Sequence, residues 1–368
     1  MIVIGFNGLF RLIFVTFSVV ILSGFSGSSY LKKRSSNDIL PVSSIYDDFN
    51  VVFFGSSSFL IEAGATQLLI DGFVTRKKHM FIGRIAPDPY MIVDVIRRFR
   101  ICTSKPHPAK ICAHPKKRRL KAVIPVHGHY DHALDSTYFA AWANADLYGD
   151  TSIQVLKQAS QEHSPGRTEF EWENFHFEDI FTDDKTGQNT RHLVIGDLKV
   201  TLIKTKHAKN IATSLLKPKT SERIRFPTKL RNMGLGVSVS VLVEYKNKRF
   251  LILPSAGPFV PSFKDGELAA DVVFLGLGGL GLVWKHTRQD YWNNIINATD
   301  PKRVIPIHWD GDMVQFNKDK QKNFSVAPVQ SFDSTLKFYE ELASKRSKKI
   351  EIIFAPAEAR FNPFSGLN

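Results

Sequence analysis

Seven residues constrain this chain more than any other stretch: Val126-His127-Gly128-His129-Tyr130-Asp131-His132. Three imidazoles and a carboxylate fall within six positions, directly after the apolar run Ala122-Val123-Ile124-Pro125-Val126. Read as a strand, that run sends the side chains of His127 and His129 to the same side, because side chains alternate along a strand. Asp131 and His132 then open a helix read over 131–145, so the cluster sits at a strand-to-helix turn. Neutral imidazole nitrogens and carboxylate oxygens are the donors that a borderline-soft divalent ion such as zinc prefers. A plain run of surface histidines is the alternative, and the strand, turn and helix around the motif argue against it.

The chain of 368 residues, 43% of them hydrophobic, is long enough for one large or two ordinary domains with a real core. At its start, Arg11 precedes an apolar run from Leu12 to Leu22, followed by the small residues Ser23, Gly24, Ser26, Gly27, Ser28 and Ser29. That order reads as an export signal over 1–29, giving a periplasmic or membrane-associated protein. The rival is an uncleaved anchor from Leu12 to Leu31, since about twenty apolar or small residues span a bilayer. Lys32-Lys33-Arg34 on the far side fits that poorly for an N-terminus-inside orientation. Residues 30–48 read as a linker.

The two cysteines, Cys102 and Cys112, lie close together. In an exported protein they close a small loop or stay as free thiols. A second zinc site with His107 and His114 matches no trusted spacing. The net charge of +14 gathers at 76–78, 97–100, 116–119 and between Lys217 and Arg231. Such a field favours anionic partners, among them phospholipid headgroups, nucleic acid or an acidic substrate. A solvated surface explains it equally well.

Patterning predicts strands over 50–54, 58–62, 67–71, 145–148, 199–205, 237–245, 249–253, 270–275, 303–307 and 350–354. It predicts helices over 90–99, 131–145, 151–159, 289–297 and 336–344. Residues 73–121 read as an insertion ahead of the motif strand, and 211–233 as a mobile basic loop over the site. No internal repeat shows. Strands mixed with helices, without βαβ regularity, predict packed sheets with helices outside.

Several of these strands end on a polar residue: Asp71, His127, His207, Ser255 and His308. Sites built from strand ends hold their ligands on rigid elements. The pattern His127-x-His129-x-Asp131-His132, with Asp71 before it and His207 and His308 after it, resembles the metallo-β-lactamase fold hydrolases. The likeness runs over nearly all of 50–354. The phrases Gly55-Ser56-Ser57-Ser58-Phe59-Leu60-Ile61-Glu62 and Ile305-Pro306-Ile307-His308-Trp309-Asp310 look most like one branch. That branch contains N-acyl-phosphatidylethanolamine-hydrolysing phospholipase D and L-ascorbate-6-phosphate lactonase.

The resemblance implies an α+β fold over 49–362, a four-layer αββα sandwich with one or two Zn2+ ions at one edge. Fe or Mn suits the same donors. His127, His129 and His207 would hold the first ion, and Asp131, His132 and His308 the second. Asp131 would also orient the nucleophile, and Asp71 would steady the motif loop from behind. His286 is a candidate substrate contact; an ordinary loop histidine is the plainer reading. One departure stands out. Relatives usually carry a bridging Asp where this chain has Leu253-Pro254-Ser255-Ala256-Gly257, and neutral serine is a poor zinc ligand. Asp265 or Asp271 takes the role if the alignment shifts.

These features point to a hydrolase that uses a metal-bound hydroxide on an ester, lactone, amide or phosphodiester. Its substrate is a small molecule or a lipid, with an anionic envelope lipid favoured by the basic surface and the export signal. The rival from another class is a catalytically degenerate metal-binding or scaffold protein, resting on Ser255. A nuclease fits less well. The interval from His207 to Ser255 is too short for the large domain that many such nucleases insert, and export argues against nucleic acid.

Overall fold

Burial on alternating sides of single strands sets the architecture. In β1 (Phe49–Gly55), Val51 and Phe53 face one apolar cluster while Val52 and Phe54 face another. The split recurs in β10 (Lys248–Leu253), where Phe250 and Ile252 join the first cluster and Leu251 and Leu253 a third. Strands that are apolar on both sides must be covered on both. Each sheet therefore lies between its partner sheet and a layer of helices. The computed structural model is an α+β fold in four αββα layers, and it describes residues 38–76, 83–102, 118–164, 172, 175–180, 189–208, 217–257, 266–310 and 332–367.

One sheet takes β1, β2 (Ser58–Ala63), β3 (Thr66–Ile70), β4 (Leu120–Ile124), β5 (Asp146–Gly149), β6 (Phe177–Asp179) and the late β14 (Arg360–Phe361), in the order β14-β1-β2-β3-β4-β5-β6. The other takes β7 (Thr190–Ile195), β8 (Leu198–Lys204), β9 (Val239–Tyr245), β10, β11 (Val272–Gly276), β12 (Arg303–Ile307) and β13 (Glu351–Ile352), in the order β13-β12-β11-β10-β9-β8-β7. Both follow one plan: antiparallel neighbours first, then parallel strands. This architectural repeat has no counterpart in the sequence. Parallel strands need crossovers, and these supply the helices: α1 (Pro89–Arg98), α2 (Tyr130–Ala133), α3 (Ser136–Ala143) and α4 (Thr151–His163) beside the first sheet, α5 (Lys285–Thr299) and α6 (Phe332–Ser344) beside the second. Asp88 caps α1 by accepting from Tyr90 N and Met91 N, and Ile92, Val95 and Ile96 turn inward. The insertion over 73–121 thus contributes part of the outer layer.

Three expectations are revised, and one strand is added. The single helix over 131–145 is broken between α2 and α3, because the Asp135 side chain turns inward. It accepts hydrogen bonds from Val74 N at 2.8 Å, Thr75 N at 2.7 Å and Thr75 Oγ1 at 2.7 Å. Burial pushes its carboxyl up to about 6, against the lowering effect of those donors. The basic stretch expected to be mobile is pinned over its described part, 217–233. Thr228 and Ile85 exchange two backbone hydrogen bonds, at 2.7 and 2.8 Å, while Ile224, Phe226, Leu230 and Met233 are buried in the outer core of the first sheet. The end of the expected linker is docked: Leu40 N donates to Phe354 O at 2.9 Å and Ser43 N to Arg360 O at 2.8 Å. Edge strand β7 escaped the pattern because its alternation is poor, with Val194 80% exposed.

Cys102 is disulfide-bonded. Cys112, Asp265 and the expected export signal or anchor lie outside the described residues. Among the described residues no helix is long and apolar enough to cross a membrane.

Asp135→Ala should strand the two backbone donors of Val74 and Thr75 and cost about 3–5 kcal/mol. Equilibrium urea unfolding should show this as a lower midpoint; an unchanged midpoint would mean that the break in the helix is not held by Asp135.

Candidate metal centre

Strand β4 ends at Ile124, and the motif follows as a loop rather than as more strand. Three backbone ties hold that loop between the sheets. Val126 N donates to Asp71 Oδ1 at 2.7 Å, Val239 N donates to Val126 O at 2.9 Å, and Gly128 N donates to Leu235 O at 2.8 Å. A Cβ at position 128 would stand 2.4 Å from Gly234 O, so only glycine lets the backbones approach this closely. His127 Nε2 and His129 Nδ1 come within 3.1 Å of each other. His207, just past β8, brings its ring centroid to 4.9 Å from each of theirs.

Asp131 and His132 lie in the short helix α2, and His308 follows β12 directly. Asp131 Oδ2 is 3.4 Å from His132 Nε2 and 3.1 Å from His308 Nε2. The structure thus gathers two groups, His127 with His129 and His207, and Asp131 with His132 and His308. Within each group the ligand atoms lie within 4.8 Å of one another. The groups adjoin, since the His127 and His132 ring centroids are 3.9 Å apart.

Hydrogen bonds fix which ring nitrogen faces the centre. The single hydroxyl proton of Ser57 goes to Asp71 Oδ2 at 2.5 Å. His132 Nδ1, 2.9 Å from Ser57 Oγ and 2.8 Å from Asp71 Oδ2, must therefore be a donor. That leaves His132 Nε2 for an ion. His207 Nδ1 donates to Ala208 O at 2.9 Å, again freeing Nε2. A second partner that fixes the tautomer is the usual support of a metal-binding histidine.

Burial keeps the first group neutral, as ligation requires. It lowers the His129 pKa to about 3 and the His207 pKa to about 4, and it holds His127 well below the ordinary value. For His132, burial works downward, but the Asp131 and Asp71 carboxylates outweigh it and raise the pKa to about 10. Burial would raise the Asp131 carboxyl, but His132 and His308 hold it well below the carboxylate range. These donor sets fit divalent ions. A tetrahedral zinc with nitrogen ligands needs donor separations of about 3.3 Å, and His127 Nε2 and His129 Nδ1 stand 3.1 Å apart. Among the described residues, the buried His129 Nε2 and His127 Nδ1 have no hydrogen-bond partner.

Asp71 stands behind the motif loop, accepting from Val126 N and His132 Nδ1. Ser255 Oγ accepts from Ala208 N at 3.0 Å, steadying the His207 loop. Asp271 accepts from Arg249 N at 3.0 Å, at the start of β11 and so away from the strand ends that carry the centre. His286 lies exposed in the first turn of α5 and joins neither group. Sequence reasoning missed the roles of Ser57, Ser56, Asp310 and Arg76. The only signal for Ser56, Ser57 and Asp310 was the pair of phrases, 55–62 and 305–310, that carried the branch resemblance; Arg76 showed only as part of the basic run 76–78.

The family described as Beta-lactamase superfamily domain matches residues 92–309, more than half of the 368 residues. No curated protein matches the chain. Similar solved structures include a metallo hydrolase from the hyperthermophilic archaeon Ignicoccus hospitalis, 14% identical, covering 85% of this chain and 98% of that one with a TM-score of 0.44. A metallo-beta-lactamase fold protein from Bacillus subtilis is 12% identical, covering 86% and 100% with a TM-score of 0.42. A possible metal-dependent hydrolase from Veillonella parvula is 12% identical, covering 86% and 99% with a TM-score of 0.44.

In the metal-free chain, His127, His129 and His207 stay neutral when folded but titrate near 6.5 when unfolded. The unfolded state then binds more protons, so stability is full above pH 6.5 and falls towards pH 3, by up to about 1.4 kcal/mol per pH unit per histidine. His132 acts oppositely: its contribution is full below pH 6.5 and fades as the pH rises towards 10. Urea midpoints of the chelator-treated protein should fall steeply from pH 7 to pH 5; a flat profile contradicts buried, neutral imidazoles.

Proposed function

The chain belongs to the beta-lactamase superfamily, and from that premise and the site's geometry we propose that it is a metal-dependent hydrolase of an ester, lactone, amide or phosphodiester. The carrying observation is the pair of adjoining ligand groups at one edge of the sandwich. A divalent ion there supplies acidified water and polarises a carbonyl or phosphoryl oxygen. The chain's own contribution is to hold His127, His129 and His207 neutral and Asp131 ionised, while His132, protonated in the metal-free chain, would give up its Nε2 proton on ligation. Asp131 stays ionised between His132 and His308, so it can ligate and accept a hydrogen bond from the attacking water. His132 is oriented by Asp71 and Ser57, and His207 by the Ala208 carbonyl.

An anionic substrate, such as an envelope lipid met after export, is supported by the charge of +14 and by local placement. Exposed Lys206 precedes His207, and the Lys217 backbone supports Leu235, which in turn holds Gly128. Likeness to the branch of N-acyl-phosphatidylethanolamine-hydrolysing phospholipase D and ascorbate-phosphate lactonase rests on the two phrases around Ser57 and His308. Ser255 favours a second reading, a metal-binding domain without turnover, because it supplies no carboxylate between the two groups.

Turnover of generic phosphodiester, ester and lactone substrates, measured beside metal content per chain, separates these readings. Wild type should turn over at least one class, and His127→Ala should lose about 100-fold or more in kcat/KM together with bound metal. Bound metal without turnover, or no loss in His127→Ala, sinks the enzyme reading. In Ser255→Asp, a gain of one ion over wild type would show that the serine costs an ion; two ions already present in wild type would show that the carboxylate is dispensable.

A further inference from the structure

The turn between β1 and β2, Gly55-Ser56-Ser57, touches both histidines of the second ligand group. Ser57 Oγ reaches His132 Nδ1 and Asp71, as described above. One residue earlier, Ser56 O accepts the His308 N–H at 2.8 Å. His308 has φ 54° and Ser56 φ 49°, a left-handed backbone that residues other than glycine seldom adopt. Such conformations persist only where neighbours enforce them. Here the enforcing group is Asp310. Its two oxygens accept the Ser56 N–H at 2.9 and 3.0 Å, and Oδ2 pairs with Arg76 Nη1 at 2.8 Å, each side chain only 1% exposed. Arg76 Nη2 donates onward to Phe54 O at 3.1 Å. A Cβ on Gly55 would stand 2.1 Å from Arg76 Nη2 and 2.4 Å from Asp310 Oδ2, so the ion pair occupies the space a side chain would need.

A buried ion pair is weak support for stability, because desolvation offsets its attraction. Its distinctive effect here is geometric. We infer that Asp310 and Arg76, acting through the Ser56 peptide, and Ser57, acting through its hydroxyl, are positioning residues for the second ion. One turn sets both His308 and His132. The first ligand group shares Asp71 through its bond to Val126 N, but its other supports, the Gly128–Leu235, Val239–Val126 and His207–Ala208 bonds, do not touch that turn. Retention of the second ion is therefore governed at the β1–β2 turn more than retention of the first. This inference rests on the metal-dependent reading.

The test is metal binding by the full-length chain, independent of turnover. Chelator-treated protein is titrated with Co2+ or Zn2+ against a chromophoric competitor, with bound metal counted by mass spectrometry. Wild type should take up two ions. Asp310→Ala and Ser57→Ala should weaken the second by about tenfold or more and leave the first within about threefold. Ser57→Thr, which keeps the hydroxyl, should restore wild-type binding. If Asp310→Ala does not fold, Arg76→Met/Asp310→Leu leaves no unpaired buried charge, still removes the acceptor of the Ser56 N–H, and gives the same readout. Equal weakening of both ions, or two ions bound as in wild type by the variants, overturns the clamp and leaves the hydrolase reading intact. A wild-type chain that takes up a single ion removes the two-ion site, and the clamp with it.

Discussion

The Asp71 side chain is the interaction on which the rest of the site depends. It is fully buried, and each of its polar atoms is committed. Oδ1 receives Val126 N, fixing where strand β4 gives way to the motif loop. Oδ2 receives Ser57 Oγ and His132 Nδ1, fixing the turn before β2 and the tautomer of a ligand. Its own N–H pairs with Ile124 O at 3.0 Å, and its carbonyl receives the Ser136 hydroxyl at the start of α3. A carboxylate buried this deeply is tolerated only because donors surround it. Asp71 thereby ties strand, turn, loop and helix to one point, and its φ of 58° aims the chain there.

The two ligand groups differ in electrostatic kind. The first is three neutral imidazoles kept so by burial, with no carboxylate among them. The second places Asp131 between two histidines, with Asp71 behind one of them. The difference follows from topology. The first group combines the motif loop with the end of an antiparallel strand, β8. The second combines the helix after the loop with the end of a parallel strand, β12, whose turn leans against the opposite sheet.

Much of this was legible in the residues. The spacing of His127, His129, Asp131 and His132 announced a metal motif, and the habit of strands ending on polar residues pointed to Asp71, His207 and His308. All six candidate ligands come together in space. Central strands were legible because β1, β10 and β12 each carry an unbroken apolar run, over 51–54, 250–253 and 304–307. What stayed hidden was whatever depended on a distant partner. Asp135 breaks a helix because Val74 and Thr75 need an acceptor, which no local propensity reveals. The loop over 217–233 reads as polar and basic, yet its four spaced apolar residues find a core in the other half of the chain. Arg76 and Asp310 are 234 positions apart, so their pairing leaves no local trace.

That loop also bears on how the chain reaches its fold. The outer core of the first sheet is closed by Ile224, Phe226, Leu230 and Met233, which are synthesised after β7 and β8 of the second sheet. The free edge of β1 waits longer still, for β14 near the C-terminus. The N-terminal half emerging from a ribosome therefore presents an uncovered apolar surface until 224–233 is made and an unpaired strand edge until β14 is made. Contacts of such long sequence separation slow folding and lengthen exposure to aggregation. The two halves share a plan, but neither can mature alone.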